Sequence, residues 1–137
     1  MTNAEMALSH LRQARRILVE AAHHHQDGAW NLVVRRCQES VELALKAVLR
    51  SAGLEVPHVH DVAFLLAEHA DRLPSGLVAH MERLVSISRR LRQEREISFY
   101  GNEELGAPAE RLYSADDAGG ALGDARFVVD LAGTYLC

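Results

Sequence analysis

The segment from Ala29 to Ala52 constrains the fold more than any other part of the chain. Trp30, Val34, Cys37, Val41, Leu45 and Val48 recur at three- and four-residue spacing, the stripe of an α-helix rather than the alternation of a strand. Leu43 and Ala47 add a second apolar strip on the far side. A helix apolar on two sides lies at the centre of a bundle or contributes to a subunit interface. Glu42 and Lys46, four residues apart, make a favourable surface pair worth only a few tenths of a kcal/mol. Gly53 follows as the C′ residue that stops the helix.

The same period recurs elsewhere, and strand signals are absent. A first helix is expected from about Ala4 to His25, with Ala4, Leu8, Leu11, Leu18 and Ala22 on one face and Thr2 or Asn3 as N-cap. Gln26-Asp27-Gly28 is a short break of the kind that joins antiparallel neighbours. Asp61 caps a short helix running from Val62 to about His69, and Pro74 marks the turn after it. A further helix is expected from Leu77 to Phe99, with Leu77, Met81, Leu84, Ser88 and Leu91 inward. Tyr100 to Tyr113 is irregular, and Ser114-Ala115-Asp116-Asp117 resembles a capping box. The last helix carries Ala118, Leu122, Ala125, Val129, Ala132 and Leu136 on one face, and close axial approach would explain Gly119, Gly120 and Gly123. The expected fold is all-α: one domain over residues 1–137, an antiparallel up-and-down bundle of four long helices plus one short helix.

Composition narrows the function classes. With a formal net charge of -4, the chain is not a general nucleic-acid-binding surface, although a local basic patch is compatible with that total. No apolar run approaches the length of a membrane span and no secretory leader is evident, so a soluble, cytoplasmic protein is expected. Cys37 and Cys137 show no Cys-x-x-Cys spacing, which points to a reducing compartment, with Cys37 as a small buried hydrophobe. Adjacent histidines His23-His24-His25 project in different directions and do not converge on one metal. His58-Val59-His60-Asp61 lacks a second ligand cluster and reads as a loop followed by an N-cap. No metal and no cofactor are expected, and no serine triad, phosphate-cradling glycine loop or dinucleotide fingerprint is present.

One position breaks the pattern. At about 100° per residue, Arg95 projects onto the centre of the Leu77–Leu91 stripe, where a guanidinium is costly to bury unpaired. It ends the dense basic run Arg89, Arg90, Arg92, Arg95. Arg90–Glu94 and Arg92–Glu96 are spaced for intrahelical pairing, and charge alone favours a solvated face. The sharper reading makes Arg89, Arg92 and Arg95, spaced by three, a ridge that meets phosphate with Arg35 or Arg36 from another helix.

The residues from Cys37 to Arg50, with Gly53, Pro57 and His60-Asp61 beyond them, resemble the HEPN family. Its members show a Gln-x-x-Val/Ala-Glu-x-x-x-Lys-Ala helix, then a glycine and a His-Asp or similar pair. Gln38, Glu42, Lys46 and His60 match in type and order. The resemblance implies a helical bundle, commonly a homodimer, often partnered with a minimal nucleotidyltransferase in toxin–antitoxin-like pairs. Ribonuclease members carry an arginine followed four to six residues later by a histidine. Arg95 matches the arginine, but Tyr100 stands where the histidine belongs, and no histidine occurs after His80. A phenol that ordinarily titrates near pKa 10 is a poor proton shuttle at neutral pH. A non-catalytic nucleotide- or RNA-binding or interaction module is therefore the first expectation, with Arg95, Tyr100, Arg92, Arg89, Glu42 and Lys46 as candidate ligand-binding residues. The alternatives are a metal-independent endoribonuclease with a divergent Arg-x4-Tyr site, and a purely structural dimer in which Arg95 pairs with a carboxylate such as Glu42.

Overall fold

In a computed structural model that describes residues 2–56 and 61–136, the chain folds as helices without a strand among the described residues. Helix α1, Asn3–Gln26, opens on a reciprocal capping box. The Glu5 amide donates to Thr2 Oγ1 at 3.1 Å and the Thr2 amide to Glu5 Oε2 at 2.8 Å, which satisfies two amides that the helix itself leaves unpaired. Helix α2, Trp30–Ser51, is the central element and packs against α1 and the last helix. Both of its apolar strips point inward: Val34, Cys37, Val41, Leu45, Val48 and Ala47 are buried, with Leu43 half-buried. It ends in a Schellman motif, the Leu54 amide bonding the Leu49 carbonyl and the Gly53 amide that of Arg50. The Gly53 φ of +80° is the left-handed conformation this motif requires.

Helix α3, Val62–Glu68, is capped by Asp61 Oδ1, which accepts from the Ala63 amide at 3.0 Å. Short α4, Ser75–Val78, then leads into α5, Met81–Gln93, and α6, Ile97–Tyr100. After an irregular segment comes α7, Ala115–Leu136, begun by a second capping box between Ser114 and Asp117. His58 and His60 lie outside the described residues, and with them the question of a histidine pair beside Asp61. No helix of the described residues is long and apolar enough to cross a membrane.

Three expectations change. The Leu77–Phe99 helix is three pieces: a turn at Ala79-His80 separates α4 from α5, and the second break falls where the five residues between Leu91 and Ile97 are all polar and offer no apolar contact that would hold a longer helix on the core. Side chains of α2 then satisfy the backbone that the break releases. The Arg35 guanidinium donates to the Arg95 carbonyl at the break, and Asn31 Nδ2 donates at 3.1 Å to the Ser98 carbonyl, one of those left unpaired at the end of α6.

The buried line of α1 is Ala7, Leu11, Ala14 and Ala21, while Leu8 is 37% exposed and Ala4 is exposed. Alanines seven residues apart bring α1 close enough to α2 for Ser40 Oγ to donate to the Ala14 carbonyl at 2.8 Å. The leucines at 8 and 18 flank that line instead of forming it.

Gly119, Gly120 and Gly123 face open space, so close packing does not explain them. The glycine of α7 that does permit close approach is Gly133, where a Cβ would lie 2.5 Å from the Arg15 guanidinium.

Cys37 is fully buried, and burial pushes its thiol up to about 12, with Asp124 adding to the effect and Arg126 opposing it. The thiolate is the reactive form. Native protein at pH 8 is therefore expected to leave Cys37 unmodified by iodoacetamide, with modification appearing in denaturant, as read by peptide mass spectrometry. Native labelling at Cys37 as fast as in denaturant would contradict the packing around it.

Candidate phosphate-binding site

The residues that the sequence singles out come together from four elements. Helix α2 presents Arg35, Gln38, Glu39, Glu42 and Lys46, which share one side at three- and four-residue steps. Helix α5 supplies Arg89 and Arg92, the turn after it supplies Arg95, and the N-cap of α3 supplies Asp61. Glu42 Oε2 lies 3.8 Å from Lys46 Nζ and 3.9 Å from the Arg95 guanidinium. Asp61 lies 3.8 Å from Arg89 and 3.9 Å from Arg92. Four cations thus share two carboxylates, and the patch keeps an excess of positive charge inside a chain of net negative charge.

Arg95 is not a buried charge. Because α5 ends at Gln93, the residue leaves the apolar stripe, and its side chain is 46% exposed. Its contact with Glu42 joins the turn to α2, but ion pairs this exposed contribute about 0–1 kcal/mol and weaken in salt.

The expected Arg90–Glu94 and Arg92–Glu96 pairs are replaced by longer-range ones, since Glu94 and Glu96 no longer lie one helical turn beyond the arginines. Arg90 reaches Asp124 of α7 at 3.3 Å and Arg92 reaches Asp61. Glu94 instead accepts a 2.6 Å hydrogen bond from the Tyr113 hydroxyl, and burial followed by that bond raises the Tyr113 phenol above its ordinary range.

An aromatic edge borders the patch. Phe99 and Tyr100 meet edge to face at 5.0 Å, and the Arg35 guanidinium lies 5.1 Å from the centre of the Phe99 ring. Tyr100 is 60% exposed, leaving its ring open to a stacking partner. Of the two supporting arginines considered from sequence, Arg35 reaches the turn through the Arg95 carbonyl. Arg36 turns to Glu39 at 2.6 Å and Glu20 at 3.5 Å.

Asp61 as the shared counter-ion of Arg89 and Arg92 was not legible, because it lies 28 residues before Arg89 and no local spacing links them. Gln38 was visible only as a motif match, yet it is buried at 3% exposure and its Oε1 accepts no hydrogen bond from a described residue. An orphaned acceptor of this kind costs about 1–3 kcal/mol.

A cleft of about 570 Å³ lies elsewhere, between α5 and α7, and holds Glu94, Asp116, Asp117 and Asp124 with Arg90. Its acidic lining disfavours phosphate, and none of the six candidate residues lines it. No group of three or more metal-ligating side chains occurs among the described residues.

A bundle built on one central helix, with an arginine-bearing turn tied to that helix by a conspicuous Gln-x-x-Val-Glu-x-x-x-Lys pattern, defines a class of small all-α domain. The model of the HEPN domain matches residues 7–134, and the chain belongs to that family. The crystal structure of TT1696 from Thermus thermophilus is similar in fold, with a TM-score of 0.71 at 24% identity over 94% of this chain and 97% of that one. No curated protein matches the chain.

Proposed function

We propose that this protein is a non-catalytic HEPN-type module that binds a nucleotide or RNA through phosphate on the Arg89–Arg92–Arg95 face. The sharing of two carboxylates by four cations supports this reading most directly, since an incoming phosphate supplies the missing negative charge. Tyr100 stacks on a base rather than transferring a proton, consistent with its place at the position of the family's histidine. Exposed Ile97, Phe99, Tyr100 and Leu105 fit a homodimer contact or a nucleotidyltransferase partner of the toxin–antitoxin-like kind. A buried free thiol suits a cytoplasmic setting.

Fluorescence anisotropy with a labelled single-stranded RNA 12-mer tests the reading. Arg95→Ala is expected to weaken binding about tenfold and to lower the salt slope by about one, while the melting temperature holds. The Arg95–Glu42 contact favours a second, structural reading. Unchanged RNA affinity with a lowered melting temperature would establish that alternative. RNA cleavage abolished by the same substitution would instead establish a ribonuclease.

A further inference from the structure

We infer that the cleft between α5 and α7 holds an arginine-bearing extended segment of a protein partner, an occupant separate from any phosphate on the arginine face. The cleft measures about 570 Å³, within the range of natural ligand sites. Helix α7 lines it with Asp116, Gly120 and Asp124, each four residues from the next and so on one side, and with Asp117 beside them. Arg90 and Glu94 face them from α5 and its C-cap. Buried Val34, Leu91 and Ala121 make the bottom, and Ile97, 39% exposed, stands at the rim. Four carboxylates thus meet one guanidinium over an apolar bottom.

The lining itself indicates the occupant. Arg90 pairs with Asp124 at 3.3 Å, so a guanidinium fits among these side chains. Glu94, Asp116 and Asp117 meet no cation in ion-pair contact among the described residues. Glu94 is held by the 2.6 Å hydrogen bond from Tyr113, and Asp117 by the Ser114 amide at 2.9 Å. Two carboxylates therefore keep fixed positions before anything binds, which lowers the cost of ordering them. A planar guanidinium meets such carboxylates through paired hydrogen bonds, while its stem covers apolar surface. From Asp116 to Asp124 the groove runs about 12 Å, the length of about four extended residues. A small solvated cation would leave the apolar bottom uncovered, whereas a chain segment covers it. Gly120 fits the same occupant. A Cβ there meets no atom within 4 Å, so no packing inside the molecule calls for a glycine in this helix, where it costs stability. The bare wall lets the backbone of the partner lie against α7.

Fluorescence anisotropy with a labelled peptide of alternating arginine and alanine tests the assignment. The same peptide with citrulline for arginine keeps the shape and removes the charge. The arginine peptide is expected to bind at least about tenfold tighter than the citrulline peptide. Glu94→Gln combined with Asp116→Asn should weaken it about fivefold, since Gln keeps the acceptor for Tyr113 and only charge is lost. Glu82→Gln combined with Asp130→Asn removes the same charge at exposed positions outside the cleft and should leave binding unchanged. Gly120→Leu fills the groove from its wall and should weaken binding at least about tenfold while the melting temperature holds or rises. Absence of arginine-peptide binding would overturn the inference. So would equal losses from the two charge-removing pairs, or full binding by Gly120→Leu, because either reduces the effect to overall charge. Spermidine bound more tightly than the peptide would assign the cleft to a free polyamine and overturn the protein segment. Should Gly120→Leu fail to fold, the comparison of the two charge-removing pairs still decides.

Discussion

Replacing Gly101 by alanine is expected to lower the melting temperature by about 10 °C and to weaken the proposed RNA binding with it. Gly101 closes α6 with φ +77° and ψ -172°, a region that side chains with a Cβ scarcely enter. Residues forced there cost about 1–3 kcal/mol. The surroundings add to that strain. A Cβ would press into the Ala107 carbonyl oxygen and stand 2.8 Å from the Ala109 amide nitrogen, both backbone atoms. That carbonyl already accepts from the Asn102 amide at 2.8 Å, within the Asn102–Ala107 bridge, so relief requires breaking the bridge or shifting α6. Strain and clash together amount to about 3 kcal/mol, which for a domain of this size corresponds to the shift stated above. Because α6 carries Phe99 and Tyr100, its displacement also reaches the site. Gly106→Ala is the internal control: φ is +65° but no atom lies within 4 Å of a Cβ, so only the conformational part applies. Thermal melts followed by circular dichroism compare the two. An equal effect at both positions would show that the contact with Ala107 carries no weight.

What the sequence reveals follows the range of the interactions involved. Helix α2, the Gly53 stop, the Asp61 cap and the Ser114–Asp117 capping box are local, each set by residues within one or two turns, and each is where the spacing places it. The break after Gln93 depends on a partner sixty residues away, Arg35, which holds the Arg95 carbonyl that a continuous helix would have paired with the Phe99 amide. A helical wheel has no access to such partners, and it projected Arg95 into the core. The same limit explains the arginine pairs. Spacing within one helix suggested Glu94 and Glu96, whereas Asp124 and Asp61 answer Arg90 and Arg92 across helices. Arg95 remains the residue of interest, but for a different reason: it is an exposed cation that shares its carboxylate with a lysine.

Leu45→Ala should cost about 3 kcal/mol, whereas Leu8→Ala should cost well under 1 kcal/mol, although both leucines occupy stripe positions by sequence. Leu45 is 1% exposed in the core of α2, the helix that packs against both α1 and α7, and its truncation removes apolar surface and leaves a void that packed helices cannot close. Buried leucine-to-alanine changes of this kind cost about 2–5 kcal/mol, the spread reflecting how far the site relaxes. Relaxation here is limited because the surrounding residues, including Ala44, Ala47 and Val48, are themselves fully packed and belong to the same helix. Leu8 is 37% exposed on the outer side of the alanine line, so its truncation surrenders only part of a side chain's burial and opens no cavity. Urea unfolding separates the cases: the midpoint should fall steeply for Leu45→Ala at constant slope and hardly move for Leu8→Ala. A large loss at Leu8 would mean that this side of α1 is covered in solution. The proposed subunit contact would then belong to the outer face of α1 rather than to the aromatic edge of α6.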